Sequence, residues 1–255
     1  MKTIAIVTGA SSGIGKAFFL SLLDKNLDEI WVIARREDVL KSLQETTEIP
    51  LRVFALDLSK DGAIEPVKSA LNEGEYAVKY LICASGFGRF SATADDESAV
   101  LENMVDLNCR AIVSTTHAVL PYLTKESLVM LIASVAAFQP IPYVATYGAS
   151  KAFVLSYGRA LNVELRKTTG AKVLCVCPFW TKTAFFDRAE SGEKIVKKYV
   201  AMYTPEQIVK RAWKDAKKKR KDVSVYGFKA KFQAFLVKVL PHRLVMRVWC
   251  RQQKL

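Results

Sequence analysis

A tyrosine and a lysine, Tyr147 and Lys151, stand four residues apart in "YGASK". On a helix such a pair shares a face. An unperturbed phenol with a pKa near 10 exchanges protons sluggishly at neutral pH, and a neighbouring ammonium favours the phenolate and lowers that value. The pair is therefore suited to passing a proton to or from a substrate oxygen. With 9 Tyr and 25 Lys in 255 residues, about one such spacing arises by chance, so the surrounding elements decide whether it carries chemistry.

Short β-branched runs recur as "TIAIVTG", "EIWVIAR", "RVFALDL", "KYLICAS", "LVMLIAS" and "KVLCVCP", with "DVSVYG" as a seventh. Room for a helix lies between successive members, as parallel strands with crossover connections require. Helices are expected over "GKAFFLSLLDKN", Asn103 to Leu123 and Ala145 to Arg166. The last of these carries both Tyr147 and Lys151. The fold class is α/β, one doubly wound parallel sheet with helices on both faces. No repeat or linker separates a second unit, so residues 1–227 read as one domain and 228–255 as its helical extension.

"TGASSGIG", residues 8–15, follows the first strand and opens a helix. Gly9, Gly13 and Gly15 stand where backbone turns sharply, approaches a pyrophosphate and packs on the sheet, and a helix N-terminus suits phosphate. Arg35, 20 residues after Gly15 in "ARRED", takes the place where an NAD site puts a carboxylate on the ribose. Arg35 and Arg36 instead suit a 2′-phosphate, which favours NADP(H), or they are solvated loop residues. Asp57, at the end of the third strand, either receives an adenine amino group or caps a helix entry.

Five cysteines are an odd number for a disulfide framework and are expected as buried thiols, Cys175 and Cys177 on one face of a strand. His117 and His242 supply a zinc site poorly, and no metal is expected. No stretch is apolar enough to cross a bilayer and no signal-peptide pattern opens the chain, so it reads as cytoplasmic.

The glycine turn, Asp57, Asn108, Ser134, Tyr147 and Lys151 together resemble the short-chain dehydrogenase/reductase family over roughly residues 1–227. The resemblance implies a Rossmann-like fold and NADP(H)-dependent hydride transfer between cofactor and a carbonyl or secondary alcohol. It implies that Ser134 polarises the carbonyl, Tyr147 moves the proton, Lys151 also holds the nicotinamide ribose, and Asn108 holds a water leading to solvent. It extends the cofactor contacts to Ser11, Ser12, Ile14, Leu58, Ala84, Gly86, Pro178, Thr181 and Thr183. Two departures stand out. Cys83 and Ala84 occupy the family's paired asparagines, and Phe179 replaces a glycine after Pro178, which with Trp180 suggests a bulky apolar wall.

The family's lid falls on residues 184–203, where Phe185, Phe186, Val200, Met202 and Tyr203 either cover an apolar ligand or pack the lid onto the body. A lipophilic substrate, 3-oxoacyl or steroid-like, and a homo-oligomer, dimer or tetramer, are implied. The net charge of +13 is all in the tail: residues 210–255 hold 15 Lys and Arg against Asp215 and Asp222. "KKKRK", 217–221, is expected to end a surface helix and lacks interleaved aromatics for nucleic acid. Beyond it, Phe228, Phe232, Phe235, Leu236 and Val239 form one apolar stripe. Leu244, Val245, Val248 and Trp249 form another, opposite Arg243, Arg247 and Arg251. Docking on its own domain, a membrane surface, a cover over the substrate pocket and a partner subunit all remain open for this extension. The rival to an enzyme is a catalytically idle NADP-binding regulator or scaffold acting through that tail.

Overall fold

All seven β-branched runs form strands in the computed structural model, which describes residues 1–189 and 195–255. They are β1 (Lys2–Thr8), β2 (Glu29–Ala34), β3 (Leu51–Ala55), β4 (Tyr76–Cys83), β5 (Leu128–Ile132), β6 (Lys172–Val176) and β7 (Val223–Ser224). Together they make one parallel sheet in the order β3-β2-β1-β4-β5-β6-β7. The helices are α1 (Gly13–Leu22), α2 (Glu37–Ser42), α3 (Glu65–Asn72), α4 (Ser98–Val105), α5 (Ala111–Val119), α6 (Ala145–Thr168), α7 (Phe185–Ala189), α8 (Pro205–Ala216), α9 (Phe228–Val239) and α10 (His242–Gln253).

Successive strand residues point to opposite faces, so near-continuous apolar runs bury both sides of the sheet. Ile4, Ile6, Trp31, Leu131 and Cys175 face a core closed by α3, α5 and α6 through Leu71, Ile112 and Val154. Ala5, Val7, Val32, Met130 and Leu174 face the other, closed by α1, α2 and α8 through Phe18, Leu40 and Ile208. The sheet is doubly wound. Cys175 and Cys177 share the first core, and burial pushes the Cys175 thiol up to about 12.

The helix expected from Asn103 to Leu123 starts earlier, at Ser98, and is interrupted by a π-helical turn over Asp106–Arg110. That extra residue per turn rotates Asn108 and Cys109 inward, and both are buried. Asp57 lies two residues beyond the end of β3 rather than on it.

The basic run 217–221 follows α8 instead of ending it. Its turn is held from below: Lys172 Nζ donates to the Ala216 and Lys218 carbonyls at 2.6 and 2.7 Å. Lys221 Nζ lies 3.2 Å from Asp215 Oδ1, an ion pair without an aligned hydrogen bond to that oxygen. Asp215 is fully buried, and its Oδ2 accepts from Arg211 Nε at 2.7 Å and Ser224 Oγ at 2.9 Å. Burial alone raises its pKa, but Arg211, Ser224 and Lys221 outweigh it and hold the carboxyl below 3.8.

Asp215→Ala leaves two cations facing a buried void and is expected to cost about 3 kcal/mol or more, read from the denaturant midpoint at neutral pH. Because the native carboxyl titrates below its unfolded value, the gap between wild type and variant persists at neutral pH and closes as pH falls through the native pKa. A variant as stable as wild type at pH 7 would remove Asp215 as the anchor of the basic turn.

Candidate active site

The strand order reverses between β1 and β4, and the carboxyl ends of these strands frame a cleft, as open α/β sheets require. Gly9 makes the turn out of β1 with φ +69°, where a Cβ would stand 2.8 Å from the Ala84 carbonyl carbon and Ser85 nitrogen. Only glycine fits there. A Cβ on Gly15 would strike the Gly9 carbonyl, so α1 packs directly on the turn. Ser12 precedes α1 without capping it through its side chain, and no acidic residue occupies the first turn. The N–H groups there are open to an anion, so a pyrophosphate fits this cradle. Thr8 Oγ1 accepts from Ala84 N at 3.1 Å and Ser85 N at 3.2 Å, giving this junction a hydroxyl tie at the place where Cys83 and Ala84 depart from the family's paired asparagines.

Along the cleft, of about 390 Å³, run Gly9, Ser11, Ser12, Gly13, Ile14 and Gly15, then Arg35, Arg36, Asp57 and Leu58. Arg36 is drawn onto the glycine turn, its guanidinium 3.3 Å from Ser11 Oγ. Asp57 Oδ1 accepts from Ser59 N and Oγ at 3.1 and 2.8 Å, a local turn cap. Burial raises the Asp57 pKa, while Ser59, Arg35 and Lys60 outweigh that and leave it lowered. Asp57 thus caps a local turn rather than a helix entry, the next helix starting only at Glu65, and the residue lines the cleft. Arg35 is exposed on the rim with its charge felt at Asp57.

Ser134, Tyr147 and Lys151 converge at the other end. Ser134 leaves β5 in extended backbone and starts a 3₁₀ turn, its Oγ accepting from Ala136 N at 3.1 Å. Its hydroxyl is near enough to the Tyr147 phenol to favour the ionised form. Lys151 is 5% exposed; its Nζ donates to the Ile132 carbonyl at 2.8 Å and stands 5.8 Å from the centre of the Tyr147 ring. Burial pulls the Lys151 pKa down to about 8. The expected lowering of the tyrosine pKa is reversed here: burial pushes Tyr147 up to about 12, with the Ser134 hydroxyl pulling the other way. The tyrosine ring is only half-buried by surface area, on the cleft side, while protein crowds its remaining faces; the upward direction follows from that loss of solvation.

Asn108 does not line the cleft. It is fully buried behind Gly86, its Oδ1 accepting from Phe87 N at 3.1 Å and its Nδ2 donating to Phe87 O and Ser150 Oγ at 2.9 and 3.0 Å. A Cβ on Gly86 would meet Asn108 Oδ1 at 2.8 Å and Lys151 Nζ at 3.3 Å, so Gly86 lets this clamp and the lysine close together. Ala84, Pro178, Thr181 and Thr183 line the cleft. Thr183 packs against Gly13 across the cleft.

The apolar wall is larger than Phe179 and Trp180 alone. Trp180 meets Phe90 edge-on at 6.0 Å and Tyr199 at 5.1 Å, and Phe185 lies 5.4 Å from the Tyr147 ring. Phe185, Phe186 and Val200 line the cleft, whereas Tyr203 packs on Tyr226 and Met202 is exposed, so neither of these two lines it. Lid residues 190–194 lie outside the described residues. Residues that the sequence reading missed also line the substrate end: Phe90, Gln139, Gln233, Trp249 and Gln253. Gln139 is 8% exposed with its amide oxygen unpartnered. Gln253 Oε1 accepts from Lys197 N and Lys198 N at 2.8 and 2.9 Å, and Trp249 Nε1 donates to Pro142 O at 3.0 Å, so α10 closes this end. "QPIPY" after Ser134 was a signal for part of this, and α10 meets the pocket-covering option that the amphipathic extension left open.

Among solved structures, a short-chain dehydrogenase from Sphingobium yanoikuyae in complex with NADPH superposes with a TM-score of 0.78 at 23% identity, covering 94% of this chain and 97% of that one. At that identity the likeness establishes the fold. A sulfoacetaldehyde reductase of Chromohalobacter salexigens is 34% identical over 191 residues, 72% of this chain and 75% of that protein. A very-long-chain 3-oxoacyl-CoA reductase of Neurospora crassa is 32% identical over 222 residues, 82% of this chain but 63% of that longer protein. The family model described as short chain dehydrogenase matches residues 3–194, a span running from β1 through the glycine turn, Ser134, Tyr147 and Lys151 into the lid. With sheet order, glycine cradle and the three polar side chains all falling inside that match, this chain belongs to the short-chain dehydrogenase/reductase family of oxidoreductases.

Proposed function

We propose that this chain reduces the carbonyl of a lipophilic substrate with NADPH, or runs the reverse oxidation of a secondary alcohol. The observation that carries the reading is the convergence of Ser134, Tyr147 and Lys151 on one cleft whose other end is a glycine cradle with two arginines on its rim. Bound NADPH supplies the hydride. Ser134 Oγ is placed to hydrogen-bond the substrate carbonyl and to hold the Tyr147 hydroxyl toward the same oxygen. Tyr147, protonated far above neutral pH, is the acid that gives this oxygen its proton. Lys151, charged below about 8, stabilises the phenolate left behind and offers its ammonium to the nicotinamide ribose. Asn108 keeps the Phe87 peptide and Ser150 in place beside that lysine, the position from which a water path to solvent would run.

Gly9, Ser11, Ser12, Gly13, Ile14 and Gly15 would hold the pyrophosphate, Arg35 and Arg36 a 2′-phosphate, and Asp57 and Leu58 the adenine. Ala84, Gly86, Pro178, Thr181 and Thr183 would hold the nicotinamide half. The aromatic wall and the likeness to a 3-oxoacyl-CoA reductase support a long acyl or steroid-like ketone, and Gln139 offers an unpartnered acceptor for a donor group on it. Exposed Val105, Val113, Phe153 and Val163 on α4, α5 and α6 support self-association as dimer or tetramer. No helix among the described residues is long and apolar enough to cross a membrane, and the placement proposed is cytoplasmic with peripheral membrane contact.

Purified protein given NADPH and ketones of graded chain length is expected to oxidise NADPH, more efficiently as the apolar part grows. Absence of turnover with every ketone, alongside tight NADPH binding, would favour the idle regulator. Tyr147→Phe preserves the ring and deletes the transferable proton, so turnover falls by at least about 10²-fold while the NADPH dissociation constant stays within about twofold. Substantial turnover in that variant removes Tyr147 from proton transfer.

In the reduction direction, kcat/KM is expected to be level below pH about 8 and to fall above it. Lys151 loses its charge as pH rises through its lowered pKa. Lys151→Met should lack that alkaline limb; a wild-type profile flat to pH 10 refutes the role. Arg35→Asp replaces a phosphate contact by repulsion and is expected to weaken NADPH by about tenfold or more, shifting preference toward NADH. An unchanged cofactor ratio would return Arg35 to a solvated loop.

A further inference from the structure

Helix α9 meets the body through small side chains and turns its large ones outward. Ala230, Ala234 and Val237 are buried, whereas Phe228, Phe232, Phe235 and Val239 are 82%, 53%, 62% and 62% exposed. At 100° per residue these four form one stripe on the side opposite the buried one. Exposed Lys231 and Lys238 flank it on one edge and Lys229 lies toward the other. Helix α10 is also two-faced, but buries large side chains. Val245, Trp249 and Gln253 are buried, while Arg243, Arg247 and Arg251 stand outward with Leu244 and Val248 beside them.

Residues 228–255 contain seven Lys and Arg and no Asp or Glu. Among the described residues, none of the seven forms an ion pair. We infer that the outer faces of α9 and α10 dock on an anionic phospholipid bilayer, the phenylalanine stripe entering the acyl boundary and the lysines and arginines meeting the headgroups. The inference rests on the peripheral placement proposed above and names the residues that carry it. Docking on the body does not explain the stripe, because the body is already met by the alanine face. A second copy does not suit it either: two such faces would bring cations against cations, which like-charge repulsion disfavours, whereas a negative surface attracts them.

At 12 residues, α9 is too short to span and lies in the interface instead. Its Gln233 lines the substrate end of the cleft, as does Val200, whose carbonyl accepts from Lys229 Nζ at 3.4 Å. The docking face therefore adjoins the cleft mouth, and a lipophilic substrate would enter from the bilayer.

The test is sedimentation of the full chain with phosphatidylcholine vesicles containing or lacking phosphatidylserine, read by protein and needing no enzymatic turnover. Binding is expected with phosphatidylserine only, weakened by salt but not abolished. Phe228→Ser/Phe232→Ser/Phe235→Ser should lose at least about tenfold in partitioning, and Arg243→Gln/Arg247→Gln/Arg251→Gln on the order of a hundredfold. All six side chains are exposed, so both variants should retain wild-type circular dichroism and NADPH oxidation with a short soluble ketone. Loss of that oxidation in wild type counts against the reductase reading alone. No sedimentation with phosphatidylserine, or equal sedimentation of the phenylalanine variant, overturns the docking surface. So does a wild-type dimer that the phenylalanine variant dissolves, which would give the stripe to a second copy.

Discussion

The cleft exists because β1 and β4 lie side by side while their following connections leave in opposite directions. Everything at the site depends on how closely those two strand ends approach. Gly9 permits the approach by lacking a Cβ, and the Thr8 hydroxyl secures it by accepting from two consecutive amides, Ala84 and Ser85. An unpaired amide buried at such a junction would cost on the order of 1–3 kcal/mol. Cys83 and Ala84 are tolerated because the tie comes from β1 rather than from their own side chains. One chain of contacts then runs from this junction to Gly86, to Asn108 behind it and to Lys151, so the glycine turn and the buried lysine are positioned by the same close packing.

Burial acts on the two titrating groups in opposite senses. It makes the Tyr147 phenol a weaker acid and the Lys151 ammonium a stronger one, bringing the lysine close to neutral pH and taking the tyrosine away from it. The sequence argument from adjacency counted only the attraction between ammonium and phenolate. It omitted the solvation both lose in the cleft wall, which at 5.8 Å between Nζ and ring centre is the larger effect. In the resting state the tyrosine therefore holds its proton firmly.

Strands, sheet class and the polar triad were legible because they rest on local signals: β-branched runs, a glycine turn with a fixed φ, and a tyrosine and lysine one helical turn apart. The π turn at Asp106–Arg110 was not, since inserting one residue into a helix leaves no mark in an apolar pattern. Gln139, Trp249 and Gln253 were missed for another reason. Each is an ordinary side chain whose place in the cleft is set by a long-range fold, Gln253 reaching back 56 residues to Lys197. Lys217 to Arg220 of the basic run are exposed, whereas Lys221 meets Asp215, which looks like any surface carboxylate until α8 is docked.

The tail shows what an amphipathic pattern leaves undetermined. Periodicity finds the phenylalanine stripe of α9 but says nothing of which side meets the protein, and the usual assumption is that the large apolar side does. Here Ala230, Ala234 and Val237 take the interior, where α9 packs against the turn that follows Ser134. Close approach by small residues is itself favourable, since it brings many backbone atoms into contact. Once the alanine face is spent on the body, the phenylalanines have nowhere to go but outward. The same packing that supports the Ser134 turn thereby sets the chemistry of the protein's outer surface.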